Sequence, residues 1–177
     1  MNNSNLYRVM NYVHKLETDK SSQICDSNQV PSRKQTKKIS SFLSRMVAAG
    51  VEGSADIIST ENVYVFLKFA IFHAQITLVE VISSISTLET LIRKCIEKND
   101  PVITAGNLGT TLVCTFIITL KFLRDSYYNN QWWAHKFGMD LQSVNESEVV
   151  VLNVLDWQLW QSEDNYERIC QRVLKRF

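Results

Sequence analysis

The chain has 177 residues, enough for one domain with a tail and enough to bury a core without disulfide or metal staples. It is 45% hydrophobic but holds only 5 glycines and 2 prolines, and this scarcity of turn formers favours helices over many short strands. The 19 basic and 18 acidic residues give a net charge of +1, which argues against the strongly basic face of a general nucleic-acid binder.

Residues 1–35 are rich in Asn, Ser, Gln and Lys, a composition that rarely packs by itself, and we interpret them as a flexible N-terminal segment. Within this segment, apolar residues recur at the spacing of a short amphipathic helix. These residues are Leu6, Val9, Met10, Val13 and Leu16. We expect this helix either to dock on a partner or to pack back on the rest of the chain.

From residue 36 onward, helical signals dominate. The spacing of apolar residues predicts helices over three segments: 36–50, 60–72 and 77–98. The first is expected to stop at Gly50, because glycine is typical of helix C-termini. Ser59 or Thr60 is expected to cap the second helix, and Pro101 follows the third, since the residue before a proline is disfavoured in a helix.

Residues 107–125 are apolar nearly all the way round, which predicts the buried central helix of a bundle. The β-branched residues Val113, Ile117 and Ile118 would also suit a strand, but the length favours a helix. The most apolar run, 112–120, has nine residues, too short to span a bilayer. The first twenty residues lack the apolar core of a signal peptide, so we expect an intracellular protein without a membrane anchor.

Four large aromatic residues follow the central helix and form what we call the aromatic corner: Tyr127, Tyr128, Trp132 and Trp133. A short helix is expected over 131–137. We expect at least half of these rings to close the core beneath this helix, and the remainder to be exposed for docking of a partner or substrate.

Two more helices are predicted after the corner. Asp140 or Ser143 caps the first, since Ser143 and Glu146 fit a capping box whereas Asp140 suits a slightly earlier start. The last helix follows Ser162 and carries an apolar stripe. We therefore expect a domain over residues 36–160 with a C-terminal helix, 161–177, packed on it.

Two charged residues stand on apolar stripes, where a lone charge is too costly to bury. Lys121 continues the stripe of Ile117 and Ile118, and Glu148 interrupts the apolar face of its own helix near Leu152. In one interpretation, each side chain extends to solvent at the edge of its helix. In the other, the two lie side by side on packed helices and bind backbone groups of a partner protein through charge-assisted hydrogen bonds.

The stretch from residue 120 to 159 resembles the cyclin box, most closely that of the single-box P/U-type cyclins of phosphate signalling. The matching motifs are Lys121–Asp125, Tyr127–Asn130, Gly138–Leu141, Asn145–Glu148 and Val154–Leu159. The resemblance implies an all-α cyclin-box bundle, in which five core helices surround a central buried helix, with extra N- and C-terminal helices.

The resemblance also implies a regulatory subunit rather than an enzyme, one that binds and activates a cyclin-dependent protein kinase by positioning the kinase αC helix. In the family, a lysine near the end of the third box helix and a glutamate in the fifth hold the kinase backbone, and these match Lys121 and Glu148. The apolar positions that cradle the αC helix match Phe122, Leu152, Trp157 and Leu159. The implied protein is monomeric apart from the kinase complex and lies in the cytoplasm, the nucleus or both.

The chain departs from the family pattern at three places. The family's first box helix is usually richer in charge than residues 60–72. The second box helix often carries a Tyr-x-Asp-Arg pattern, for which Glu89 and Arg93 are looser stand-ins here. The helix entry reads Met139-Asp140-Leu141 rather than Ile-Ser-Leu, which keeps a capping side chain at Asp140.

Residue patterns of enzymes and cofactor sites are lacking. The histidines, His14, His73 and His135, are scattered, so no metal site is expected. The GNLG run at 106–109 lacks the lysine and spacing of a phosphate loop, no serine lies in a G-x-S-x-G elbow, and we expect no catalytic residue and no cofactor. The main alternative is a cyclin-fold adaptor that binds a non-kinase protein, although such proteins often have two boxes and a basic face.

Overall fold

The computed structural model describes residues 29–174, and within this range all regular structure is helical, as expected. Seven α-helices and a short 3-10 helix at Ala105–Asn107 make up this part of the chain. The α-helices are α1 (Arg33–Gly50), α2 (Thr60–Ala74), α3 (Leu78–Lys98), α4 (Leu108–Leu123), α5 (Asn130–Phe137), α6 (Leu141–Val154) and α7 (Glu163–Leu174). The predicted amphipathic helix over Leu6 to Leu16 lies outside the described residues.

Helix α4 is the central element, as its apolar sequence predicts. It packs against α3 on one side and α6 on the other, and also contacts α5. Helix α1 packs on α2 and α3, while α7 lies across α1 and α3. The five core helices α2–α6 therefore form a bundle with α4 at its centre, and α1 and α7 are additional N- and C-terminal helices, so the predicted all-α bundle is confirmed.

The threonines of α4 explain how a buried helix accommodates hydroxyl groups. Thr111, Thr115 and Thr119 each donate to the carbonyl oxygen four residues earlier, at distances of 3.1, 2.8 and 2.8 Å. A buried hydroxyl without a partner would be costly, and these bonds satisfy it inside the helix itself. The β-branched residues that also suit a strand are therefore compatible with the helix seen here.

The apolar stretch that contains the central helix is longer than the nine-residue run 112–120. By length and composition alone, Ala105–Leu123 could cross a membrane. Most of this stretch is buried inside the bundle, which is also the property of a core helix in a protein that does not span a membrane.

The helix caps explain where the elements begin. Helix α1 starts at Arg33, before residue 36, because Ser32 and Gln35 cap it reciprocally: Ser32 Oγ accepts from Gln35 N at 3.3 Å, and Gln35 Oε1 accepts from Ser32 N at 2.8 Å. At α6, the Asp140 carboxylate accepts from Ser143 N at 2.8 Å. Of the two candidate caps, Asp140 is therefore the one used.

Gly50 ends α1 as expected, but for a different reason. Its backbone does not adopt the left-handed conformation typical of a C-terminal glycine, and the following cap residue, Val51, is extended. A Cβ added at Gly50 would lie 2.5 Å from Ile92 Cγ2 of α3. The glycine is therefore required by the close approach of α1 and α3.

This contact predicts the effect of Gly50→Ala. We expect the substitution to lower the free energy of unfolding by ~1–3 kcal/mol, the usual range for overpacking a core, measured by chemical denaturation. Gly109→Ala is the matched control, because a Cβ there meets no atom within 4 Å and alanine is the better helix former. Equal stability of the two variants would contradict the packing explanation.

Candidate functional site

Lys121 and Glu148 form an ion pair between the last turn of α4 and the middle of α6. Lys121 Nζ lies 2.6 Å from Glu148 Oε1 and 2.9 Å from Oε2. The side chains are 26% and 13% exposed, respectively, so the pair is neither sealed in the core nor free in solvent. The two charges therefore lie side by side on packed helices, whereas their binding to the backbone of a partner stays a prediction.

Asn130, the first residue of α5, fixes the carboxylate of this pair. Its side-chain amide donates to Glu148 Oε2 and also to Asn145 Oδ1 at 2.8 Å. The ring of Tyr127 adds a cation–π contact, with Lys121 Nζ 6.0 Å from the ring centroid. The segment between α4 and α5 is thus part of the site. Asn130 was not among the predicted site residues, although it lies within the Tyr127–Asn130 motif.

Cys114 lies on α4 about two turns before Lys121. Its thiol donates to the carbonyl oxygen of Val144 at 3.7 Å. Burial, with a smaller contribution from the charge of Glu148, raises the pKa of the Cys114 thiol to about 12. The residue therefore packs as a neutral, small apolar group.

The predicted apolar cradle residues fall into two groups. Phe122 and Leu159 are half-buried and line the same apolar cleft between α3, α4 and the segment after α6. Leu152 is also half-buried, and its carbonyl oxygen accepts from the backbone amide of Trp157 at 2.9 Å. Trp157 is 63% exposed, which is unusual for so large an apolar side chain.

The aromatic corner divides as expected between core and surface. Trp133 is buried in the core and Trp132 packs against it. Tyr127 and Tyr128 are exposed, and Tyr128 stacks on Trp132 with ring centroids 3.9 Å apart. The prediction that at least half of the rings close the core is confirmed.

Arg124, which follows α4 directly, forms a second ion pair that was not predicted from the sequence. Its guanidinium binds Glu80 through two hydrogen bonds of 2.5 and 2.7 Å, and donates to the carbonyl oxygens of Ala74 and Gln75 at 3.0 and 3.1 Å. The Glu80 carboxylate also accepts from Thr77 N at 2.8 Å, which caps α3. The end of α4, where Lys121 lies, is thereby tied to the start of α3.

The charge state of Glu80 follows from these contacts. Burial raises the pKa of this carboxyl, but the hydrogen bonds from Arg124 and Thr77 together outweigh it, so the pKa lies below its usual value. The hydrogen bond from Glu80 raises the pKa of Arg124. Both side chains are therefore held in their charged forms.

The two stand-ins on α3 do not pair with each other. Glu89 binds Arg168 and Arg172 of α7, whereas Arg93 pairs with Glu97 one turn along its own helix. Glu89 thus attaches α7 to the bundle, and neither Glu89 nor Arg93 contacts the Lys121–Glu148 pair. Within residues 29–174, no group of three His, Cys, Asp or Glu side chains is placed to hold a metal ion.

Comparison with known proteins agrees with this architecture. The family model described as Cyclin matches residues 4–159. PHO85 cyclin-7 of Saccharomyces cerevisiae is 30% identical over 74 residues, which cover 42% of this chain and 26% of that protein, so the match spans about a quarter of that relative. No solved structure matches the chain.

The likeness to a PHO85 cyclin agrees with the P/U-type resemblance of the motifs. At the level of the family, it supports a regulatory role toward cyclin-dependent kinases. Because the family match extends over most of the chain and includes both residues of the Lys121–Glu148 pair, the protein belongs to the cyclin family.

Proposed function

We propose that this cyclin binds and activates a cyclin-dependent protein kinase by holding the kinase αC helix in its active position. The observation that carries the proposal is the Lys121–Glu148 pair, which is mostly buried but still reached by solvent at the junction of α4 and α6. Leu152 follows Glu148 one turn along α6, so a charged pair and apolar groups lie on the same flank of this helix. A partner helix that docks on this flank of α6 would make both charged and apolar contacts.

The ion pair retains hydrogen-bonding capacity for a partner. An ammonium group has three donors and a carboxylate has about four acceptor positions, which exceeds what the pair and Asn130 use. The amine can therefore donate to a carbonyl oxygen of the kinase backbone, while the carboxylate accepts from a backbone amide. Two fixed charges of opposite sign also specify the direction of the bound chain.

The apolar residues contribute the remaining binding energy. Phe122, Leu152 and Leu159 are half-buried and Trp157 is exposed, so a partner helix would remove further apolar surface from water. Shifting a kinase from mostly inactive to mostly active requires that binding favour the active form by ~5 kcal/mol. The cyclin does no chemistry itself; it changes the population of kinase conformations.

The kinase we propose is of the PHO85 type, because the name of the yeast relative associates that protein with PHO85. Such a role places this cyclin inside the cell, in the cytoplasm or the nucleus, as one copy bound to one kinase. It also implies no part for nucleic acid or membrane in its action.

A pair of substitutions on α6 tests this proposal with purified PHO85. Leu152→Arg is expected to weaken binding at least about tenfold, because it places a charge in the apolar part of the interface. Val150→Arg is the matched control, since Val150 is exposed and lies roughly 160° around the helix from Leu152. Affinity is measured by calorimetry and activation by phosphorylation of a peptide substrate.

The unmodified protein is expected to bind PHO85 and raise its activity, with Val150→Arg retaining both properties. A folded wild-type protein that neither binds nor activates PHO85 would contradict the proposal and favour a non-kinase partner. Equal affinities of the two arginine variants would show that this flank of α6 is not the interface.

A further inference from the structure

The turn that follows α6 has an unusual backbone. Asp156 and Trp157 are consecutive and both have positive φ, 54° and 59°. Aspartate tolerates the left-handed region, but a bulky aromatic residue rarely adopts it. Such a conformation persists only where the surrounding structure holds it.

Two lysines of α3 hold this turn. Lys94 Nζ donates to the carbonyl oxygen of Leu155 at 3.0 Å and to Asp156 Oδ2 at 2.5 Å. Lys98 Nζ donates to the carbonyl oxygen of Val154 at 3.2 Å and to Asp156 Oδ1 at 3.0 Å. The two ammonium groups, one turn apart on α3, therefore satisfy the last carbonyls of α6 and share the Asp156 carboxylate.

Two ammonium groups share a single carboxylate in this arrangement. The hydrogen bonds from Lys94 and Lys98 lower the pKa of the Asp156 carboxyl, so it remains ionised over the neutral range. The Lys94 side chain is only 16% exposed, which shields its contacts from solvent more than those of an ordinary surface pair. We call this set, Lys94, Lys98 and Asp156, the lysine brace.

Trp157 follows Asp156 directly in the left-handed turn, and two hydrogen bonds to α6 hold it. Its backbone amide donates to the carbonyl oxygen of Leu152, and its indole Nε1 donates to Asn153 Oδ1 at 3.0 Å. The ring is nevertheless largely uncovered. A large aromatic side chain that is already fixed before binding loses little conformational entropy when a partner covers it.

We propose that Lys94 and Lys98 are positioning residues that preset Trp157 as an anchor for the partner kinase. The inference rests on the proposed function and extends it to α3, a helix that holds neither member of the Lys121–Glu148 pair. The brace acts through Trp157: it stabilises the left-handed turn, and the turn presents the indole.

Nuclear magnetic resonance of the cyclin alone tests the first half of this proposal. Trp157→Phe assigns the indole signal of Trp157 among those of the four tryptophans. In the double variant Lys94→Met/Lys98→Met, that signal is expected to shift and the backbone amide of Trp157 to exchange at least about tenfold faster. Arg93→Met removes one positive charge from the same helix and should leave both unchanged, because Arg93 pairs with Glu97 rather than with the turn.

Binding to purified PHO85 tests the second half through a double-mutant cycle. Lys94→Met/Lys98→Met is expected to weaken binding at least about fivefold in the wild-type background, because fewer molecules present Trp157 correctly. In the Trp157→Ala background, the same two substitutions should change affinity by less than about twofold. Lys94→Arg/Lys98→Arg retains the charges and should recover most of the loss.

The outcomes separate the brace from the proposed function. An unchanged Trp157 spectrum in the methionine variant, or an equal loss of affinity in both backgrounds, would overturn the proposal. Failure of the wild-type protein to bind PHO85 would overturn the proposed function and the kinase part of this inference. In that case, the spectra would still decide whether the lysines hold Trp157.

Discussion

Replacing Lys121 with alanine is expected to weaken PHO85 binding by roughly 30- to 4,000-fold while the protein stays folded. The range corresponds to ~2–5 kcal/mol for removing one partner of a hydrogen-bonded charge pair at an interface. Most of the loss arises because Glu148, only 13% exposed even without a partner, would be covered by the kinase without its counter-ion. Glu148→Ala is expected to cost a similar amount, since it leaves the ammonium uncompensated. Affinities are measured by calorimetry, with thermal unfolding as the check on folding.

A charge reversal distinguishes a binding role of this pair from a purely structural one. The double variant Lys121→Glu/Glu148→Lys restores an ion pair between α4 and α6 but exchanges its donor and acceptor sides. Stability should therefore recover while kinase affinity does not, because the backbone dipoles of the kinase have a fixed direction. Arg93→Ala, at an exposed ion pair on α3, is the control for charge removal. Wild-type affinity of the single variants, or recovery of binding by the reversal, would refute the role of the pair.

Arg124→Met is expected to lower the free energy of unfolding by ~3–5 kcal/mol at pH 7. The substitution leaves Glu80, 9% exposed, as a buried charge without its partner, which is among the more costly single changes in a protein. It also removes the donors to the carbonyl oxygens of Ala74 and Gln75. Urea denaturation of the two proteins measures the difference. Glu80→Gln/Arg124→Met removes both charges and should recover part of the loss.

The difference in unfolding free energy between wild type and Arg124→Met is expected to depend on pH. The pKa of Glu80 in the folded protein lies below its reference value of 4.5, so the pair contributes its full stability above about pH 4.5. The contribution is lost as the pH falls through the lowered, folded pKa. The gap in unfolding free energy between wild type and Arg124→Met should therefore narrow in acid. Glu89, whose pKa is also lowered, is present in both proteins and largely cancels. A gap that is constant from pH 7 to pH 3 would contradict this account.

The helices and their central member could be predicted because periodic apolar patterns are local in sequence. The same periodic patterns identified Lys121 and Glu148 as candidate site residues, because each is a charge on an apolar stripe. The other polar contacts near the end of α4 were harder to predict. Asn130 and the Arg124–Glu80 pair carry no periodic signal, because their geometry depends on how α3, α4, α5 and α6 meet.

Two further features could not be predicted from local sequence patterns. Gly50 was predicted to end a helix by its backbone freedom, whereas its role is to leave room for Ile92, more than forty residues later. The left-handed turn at Trp157 contains no glycine, so the sequence gives no local sign of it. The contacts to this turn come from lysines of α3, which is distant in sequence. Contacts of this kind become visible only when the helices are assembled.

The composition of the central helix has a consequence for the lifetime of the protein. The run from Leu112 to Leu120 contains no charge, proline or glycine and is rich in β-branched side chains, which is the profile of segments that assemble into cross-β fibrils. In the native bundle its hydroxyls are bonded within the helix and its surface is hidden. Opening of the bundle exposes this run, so we expect variants that open more slowly to stay free of aggregates for longer.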